Sequence, residues 1–139
     1  MPRSRAELEL AAPPGDVWRF LAEPRHLADW WPNLATVEPD RRGLAVGARW
    51  RVRSREPTLF RRAYAEDTLL VTVVEPERRF AFELARTRLR AELALAPAGE
   101  GRTRAALEVS GPLLVGFSRS LAKDALARLY ALCQTAASL

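Results

Sequence analysis

The chain has 139 residues, 48% of them hydrophobic, with 22 Lys+Arg against 17 Asp+Glu and a formal net charge of +5. This length allows one domain with a proper core, residues 1–139, and is too short for two. No apolar run approaches the roughly 18 residues of a membrane span and the amino terminus lacks a signal-peptide core, so no transmembrane segment and a cytoplasmic location are expected.

Ser4 to Ala12 alternates as a strand, with Leu8 and Leu10 on one face and Glu7 and Glu9 on the other. Pro13-Pro14-Gly15 stops it. Proline suits the first helical positions and Asp16 places negative charge at the positive end of the helix dipole, which predicts a helix over Pro14 to Ala22 with Val17, Trp18, Phe20 and Leu21 on its apolar side. Trp18 and Phe20 are expected in the core. Pro24 breaks this helix, and a second short one follows in which Leu27, Trp30 and Leu34 recur at spacings of three and four. Pro32-Asn33 ends it.

From there the pattern is a meander. Ala35 to Asp40 reads as a strand, Arg41-Arg42-Gly43 as a turn, and Ala48 to Arg55 as a strand with Ala48, Trp50 and Val52 inward and four arginines outward. Such alternation marks a sheet wet on one side and covered on the other. Thr58 to Tyr64 is less regular and is expected to be a loop or short edge strand. Asp67 to Val74 is the next strand; Phe80, Phe82 and Leu84 face inward on the one after. Leu89, Ala91, Leu93 and Leu95 do so between Thr87 and Leu95, and Ala105, Leu107 and Val109 between Thr103 and Val109. Gly111-Pro112 then opens a long helix whose stripe is Phe117, Leu121, Ala125, Leu129 and Leu132, widened by Leu114, Leu126 and Cys133. A curved antiparallel sheet with one dry face needs a cover, and only this helix is long enough to supply it.

The segment Ala12 to Glu38 carries a resemblance. Its Pro-rich start, its Asp16-Val17-Trp18 helix, its helix broken at Pro24 and its Trp30-Trp31-Pro32 before a strand resemble the polyketide cyclase/dehydrase-like family of the START-domain-like (SRPBCC) superfamily. With the rest of the layout the resemblance covers nearly the whole chain. It implies an α+β helix-grip fold: a curved antiparallel sheet of about six or seven strands wrapped on a long C-terminal helix, with two short helices after the first strand. Lipid carriers, hormone-binding proteins and aromatase/cyclases share this fold, so the chemistry has to be argued from the site.

The net charge invites a nucleic-acid reading, but its distribution argues against one. Arginines alternate with apolar residues and interleave with glutamates, as at Arg88, Arg90 and Glu92, which is the pattern of a solvated sheet face with cross-strand partners. The densest run is Arg49, Arg51, Arg53 and Arg55, with Arg61 and Arg62 nearby. Catalytic sets are also missing. His26 and Cys133 are the only residues of their types, which excludes internal disulfides and a Cys/His metal centre; no metal or cofactor is expected. Ser118 and Ser120 lack a base, and Glu66-Asp67 and Glu75/Glu77 fall at turns, where acids are normally solvated.

Aromatic residues remain. Trp30, Trp31, Trp50, Phe60, Tyr64, Phe80, Phe82 and Phe117, with Ala91 and Leu121, come from separate elements that the implied fold gathers between sheet and C-terminal helix. Tyr64, Thr72 and Thr87 are candidate polar contacts, and the small residues Gly111, Gly116 and Ser118 leave room for an entrance. Together these suit a cavity for a small hydrophobic molecule such as a lipid, an isoprenoid or an aromatic polyketide-like compound. The alternatives are a polyketide cyclase or dehydratase and an interaction module whose Arg-rich face meets protein or RNA. Monomer and homodimer both remain open.

Overall fold

A computed structural model describes residues 3–54, 66–112 and 120–137. Seven strands form one antiparallel sheet in the order β1-β7-β6-β5-β4-β3-β2, from β1 (Arg3–Leu10), β2 (Leu34–Glu38), β3 (Arg49–Ser54), β4 (Glu66–Glu75), β5 (Arg79–Leu84), β6 (Leu89–Pro97) and β7 (Thr103–Ser110). Helices α1 (Pro14–Leu21) and α2 (Leu27–Trp30), separated by a 3₁₀ turn at Pro24–His26, lie between β1 and β2, and α3 (Leu121–Ala137) closes the chain. This is the helix-grip arrangement, with seven strands. No described helix is long and apolar enough to cross a membrane.

Local chemistry accounts for the breaks. Proline occupies the start of α1 and Asp16 its first turn. Glu23 accepts a hydrogen bond from the Arg25 amide and begins the 3₁₀ turn. Asn33, at φ +61°, reverses the chain between α2 and β2, a backbone state that asparagine tolerates better than most residues. Leu34, expected on the second helix, opens β2 instead. Register shifts near Leu34/Thr36 in the edge strand β2 and near Val71/Val73 in the interior strand β4 bend those strands, as bulges do, and help the sheet curve.

The inward residues form one cluster on the concave face. Ala48, Trp50, Val52, Leu69, Val71, Phe80, Phe82, Leu93, Leu107 and Val109 are all buried. Helix α3 packs against β1, β7 and α2 and buries Ala122, Ala125, Leu126, Leu129 and Cys133, while Leu121 and Leu132 stay half-buried at the rim of the stripe. Two long-range hydrogen bonds tie the start of α3 to β1 and the start of β7 to the segment that follows β1. The Ser4 hydroxyl accepts from the Ala122 amide at 3.0 Å, and the Thr103 hydroxyl donates to the Ala12 carbonyl at 2.7 Å. Both residues are buried in an otherwise apolar setting, where a hydroxyl needs such a partner.

The other face carries the charge. Cross-strand pairs join Arg3 to Glu108, Arg51 to Glu38, Arg53 to Glu66, Arg79 to Glu92, Arg90 to Glu83 and Arg102 to Glu9. All are solvent-exposed, and exposed pairs contribute about 0–1 kcal/mol each. The double change Arg51→Gln with Arg53→Gln, which removes two such pairs, is therefore expected to shift the urea midpoint by no more than the equivalent of about 2 kcal/mol, with ligand binding intact. Loss of ligand binding in that variant would place the site on the outer face.

Candidate functional site

Five of the aromatic candidates come together. Trp50 stacks on Phe80 with centroids 6.1 Å apart, Phe80 lies 5.5 Å from Phe82, Phe82 meets the edge of Trp31 at 5.1 Å, and Trp31 meets Trp30 at 5.7 Å. The strands β3 and β5 and helix α2 thus contribute one continuous aromatic wall, with spacings in the range favourable for ring pairs. Every member is buried. The Trp50 indole N–H donates to the Gly43 carbonyl at 2.8 Å, which satisfies its polar edge and ties the wall to the β2–β3 loop. Ala91 lies beside this wall, because β6 pairs it with Phe82, and its small side chain faces the same interior. Leu121 is half-buried at the start of α3. Phe60, Tyr64 and Phe117 lie outside the described residues, as do Gly116 and Ser118 and the segment Thr58 to Tyr64.

The polar candidates have local work. Thr87 donates its amide and its hydroxyl to one oxygen of Asp67, at 3.1 and 3.2 Å. The other oxygen accepts from the amides of Thr68 and Arg86, both at 2.7 Å. Asp67, expected as a solvated acid at a turn, is instead buried at the start of β4, on the inward side with Leu69 and Val71, and staples the β5–β6 turn. Thr72 lies by the register shift in β4, on a shallow depression of the outer face with Glu83, Glu92 and Glu108. The His26 ring stacks on Phe20 at 4.3 Å, and its Nδ1–H donates to the Phe20 carbonyl at 2.8 Å, at the end of α1. Among the described residues no group of three His, Cys, Asp or Glu side chains converges on a metal position.

One cavity was not expected from the sequence. Ala11, Ala12, Pro13, Val17, Phe20, Leu132, Cys133 and Ala136 line an apolar cleft of about 230 Å³ where α1 meets the C-terminal end of α3, with Asp16 at its rim. Trp18 and Phe20, expected in the core, are half-buried and pack on its edge, and Phe20 forms one wall of the cleft. Cavities of ~150 Å³ with aliphatic walls already hold a benzene ring, so this one admits a small ring system or a short acyl segment. Burial pushes the Cys133 thiol above its ordinary value, which keeps it protonated and unreactive at neutral pH. The only sequence signal for the cleft is the run of small residues Ala11-Ala12 facing Ala136, and such runs are common.

A family model described as polyketide cyclase/dehydrase and lipid transport matches residues 1–134. No curated protein matches the chain. Several solved structures share its fold. The di-domain ARO/CYC protein BexL from the BE-7585A biosynthetic pathway aligns at TM-score 0.70 and 16% identity over 100% of this chain; the chain spans 48% of that protein. Norcoclaurine synthase of Thalictrum flavum, solved with a transition-state analogue, aligns at TM-score 0.68 and 17% identity, covering 98% of this chain and 96% of that one. DR_A0006 of Deinococcus radiodurans aligns at TM-score 0.68 and 18% identity, covering 97% and 99%.

Proposed function

The chain belongs to the polyketide cyclase/dehydrase and lipid transport family, and from that premise we propose that it binds a small hydrophobic molecule between the sheet and α3 without transforming it. The ligand is a lipid, an isoprenoid or an aromatic polyketide-like compound. The observation that carries this reading is the chemistry of the concave face. Among the described residues it offers aromatic and aliphatic surface and one carboxylate, Asp67, whose two oxygens are already occupied by four hydrogen bonds. A general acid or base must be able to reach a proton on the substrate, and a carboxylate committed to three backbone amides and a hydroxyl cannot do so without losing its turn. Apolar walls with few polar groups are the usual make-up of a pocket for a flat or chain-like hydrophobic ligand.

In this proposal Trp30, Trp31, Trp50, Phe82, Ala91 and Leu121 form the described part of the ligand wall, and Phe60, Tyr64 and Phe117 complete it. The cleft between α1 and α3 supports the reading in a second way. Val17 and Cys133 belong both to the core and to the cleft, so an apolar molecule at that seam touches the interior directly. Native mass spectrometry of the purified protein tests the proposal. A retained neutral hydrophobic molecule at one per chain, released unchanged on denaturation, is expected. Conversion of a supplied poly-β-ketone chain with turnover that disappears in Tyr64→Phe would overturn it in favour of a cyclase.

A further inference from the structure

Ion pairs neutralise many of the outward arginines, whereas the β2–β3 loop gathers three that make none around an exposed apolar residue. Nine described arginines form ion pairs with Asp or Glu: Arg3, Arg5, Arg19, Arg25, Arg51, Arg53, Arg79, Arg90 and Arg102. Around the β2–β3 loop, Arg41, Arg42 and Arg49 are exposed and make no ion pair among the described residues. The same loop carries Val46, 60% exposed, the one large hydrophobic residue among the described residues that stands out in solvent. A single exposed valine is ordinary by itself. Here it projects from a loop whose flanks are guanidinium groups.

The loop is also built to hold that valine out. Asp40 accepts from the amides of Arg42 at 3.0 Å and Arg49 at 2.9 Å, so the carboxylate closes the loop across its base, and those amide bonds hold its carboxyl below the ordinary value. The Gly43 amide bonds the Asp40 carbonyl, the Ala45 amide bonds the Gly43 carbonyl, and the Ala48 amide bonds the Ala45 carbonyl. Gly47, at φ +89°, donates to the Val71 carbonyl at 2.9 Å and anchors the far side to β4. A side chain there would be strained and would meet Arg42 Nη1 at 2.8 Å. Leu44 turns in to pack on the core while Val46 turns out. The exposure therefore costs no further ordering when a partner arrives.

We propose that the β2–β3 loop is a docking site for an anionic lipid bilayer surface, with Arg41, Arg42 and Arg49 on phosphate headgroups and Val46 inserted at the headgroup–acyl boundary. Charge complementarity and the apolar tip together select this partner. Three guanidiniums against the single carboxylate Asp40 are attracted to a negatively charged leaflet. A rigid apolar side chain between them gains burial in a bilayer and gains nothing on an RNA backbone. The proposal goes beyond ligand binding and does not depend on it.

Vesicle co-sedimentation tests it with the intact protein and no added ligand. Vesicles of phosphatidylcholine with about one third phosphatidylglycerol should carry the protein down, and vesicles of pure phosphatidylcholine should not; raised salt should release it. Arg41→Gln with Arg42→Gln is expected to weaken partitioning by about fivefold for each guanidinium removed. Val46→Ser, which leaves the charge unchanged, should also weaken it, and Val46→Trp should strengthen it, since Trp favours the membrane interface. All three substituted positions are solvent-exposed, and unchanged circular dichroism melts will show that the fold is intact. Equal binding to neutral and anionic vesicles, or binding unaffected by these variants, overturns the proposal. So does binding that falls with the arginines, ignores Val46→Ser and is competed by RNA, which would make the loop a general phosphate reader.

Discussion

Truncating Leu129 to alanine is expected to destabilise the protein by about 2–5 kcal/mol. Leu129 is completely buried in α3, on the face that packs against β1 and β7. The loss combines the transfer term of the removed carbons with the cavity left beneath a helix whose start is tied to β1 by the Ala122–Ser4 hydrogen bond, so collapse of the void is limited. The check is a urea titration, in which the midpoint should fall with little change in slope. Its neighbour Arg128 is exposed, and Arg128→Ala should stay within about 0.5 kcal/mol of the parent. A midpoint unmoved by Leu129→Ala would show that α3 does not close the concave face.

Asp67→Ala is expected to be nearly as damaging, on the order of 3 kcal/mol, for a different reason. The carboxylate satisfies the amides of Thr68, Arg86 and Thr87 and the Thr87 hydroxyl, and its removal leaves those donors without their acceptor. Asp67→Asn keeps one carbonyl oxygen but presents an amide N–H₂ to donors, so it should fall between parent and alanine. Hydrogen exchange separates this structural role from simple loss of packing. Protection of the Arg86 and Thr87 amides should drop in both variants while that of the β6–β7 ladder is kept under conditions where the protein remains folded. Retained protection at those two amides would remove the staple from the account.

These two residues also mark what the sequence could and could not disclose. Leu129 is legible because helix packing writes itself at spacings of three and four, and the strand interiors are legible because Trp50/Val52 or Leu89/Ala91/Leu93 alternate with charge. Asp67 is not. Its partners lie 19 and 20 residues further on, so nothing local distinguishes it from a solvated acid at a strand start. Ser4 and Thr103 fail for the same reason, since they bond to Ala122 and Ala12 across 118 and 91 residues. Apolar periodicity also overstates burial at element edges. Phe20 and Leu132 fit their stripes yet end up half-buried on the α1–α3 cleft, and Leu34 leaves its helix for β2 once Asn33 reverses the backbone. The aromatic wall was legible as a list of residues, because each inward position follows from its own strand or helix. Its ring contacts depend on sheet curvature, which the two register shifts introduce and which no residue type encodes alone.

Titration with an apolar fluorescent probe, N-phenyl-1-naphthylamine, tests hydrophobic-ligand binding most directly. The account predicts saturable binding near one probe per chain with quenching of tryptophan emission, since Trp30, Trp31 and Trp50 share the wall. Salt should change it little, because apolar burial drives the association and screening acts on charges. Ala91→Phe, which adds a ring beside Phe82, should weaken the probe more than it lowers the urea midpoint. Weak, non-saturating association in the parent, together with severe destabilisation by Ala91→Phe, would contradict the account and leave the aromatic wall as packed core.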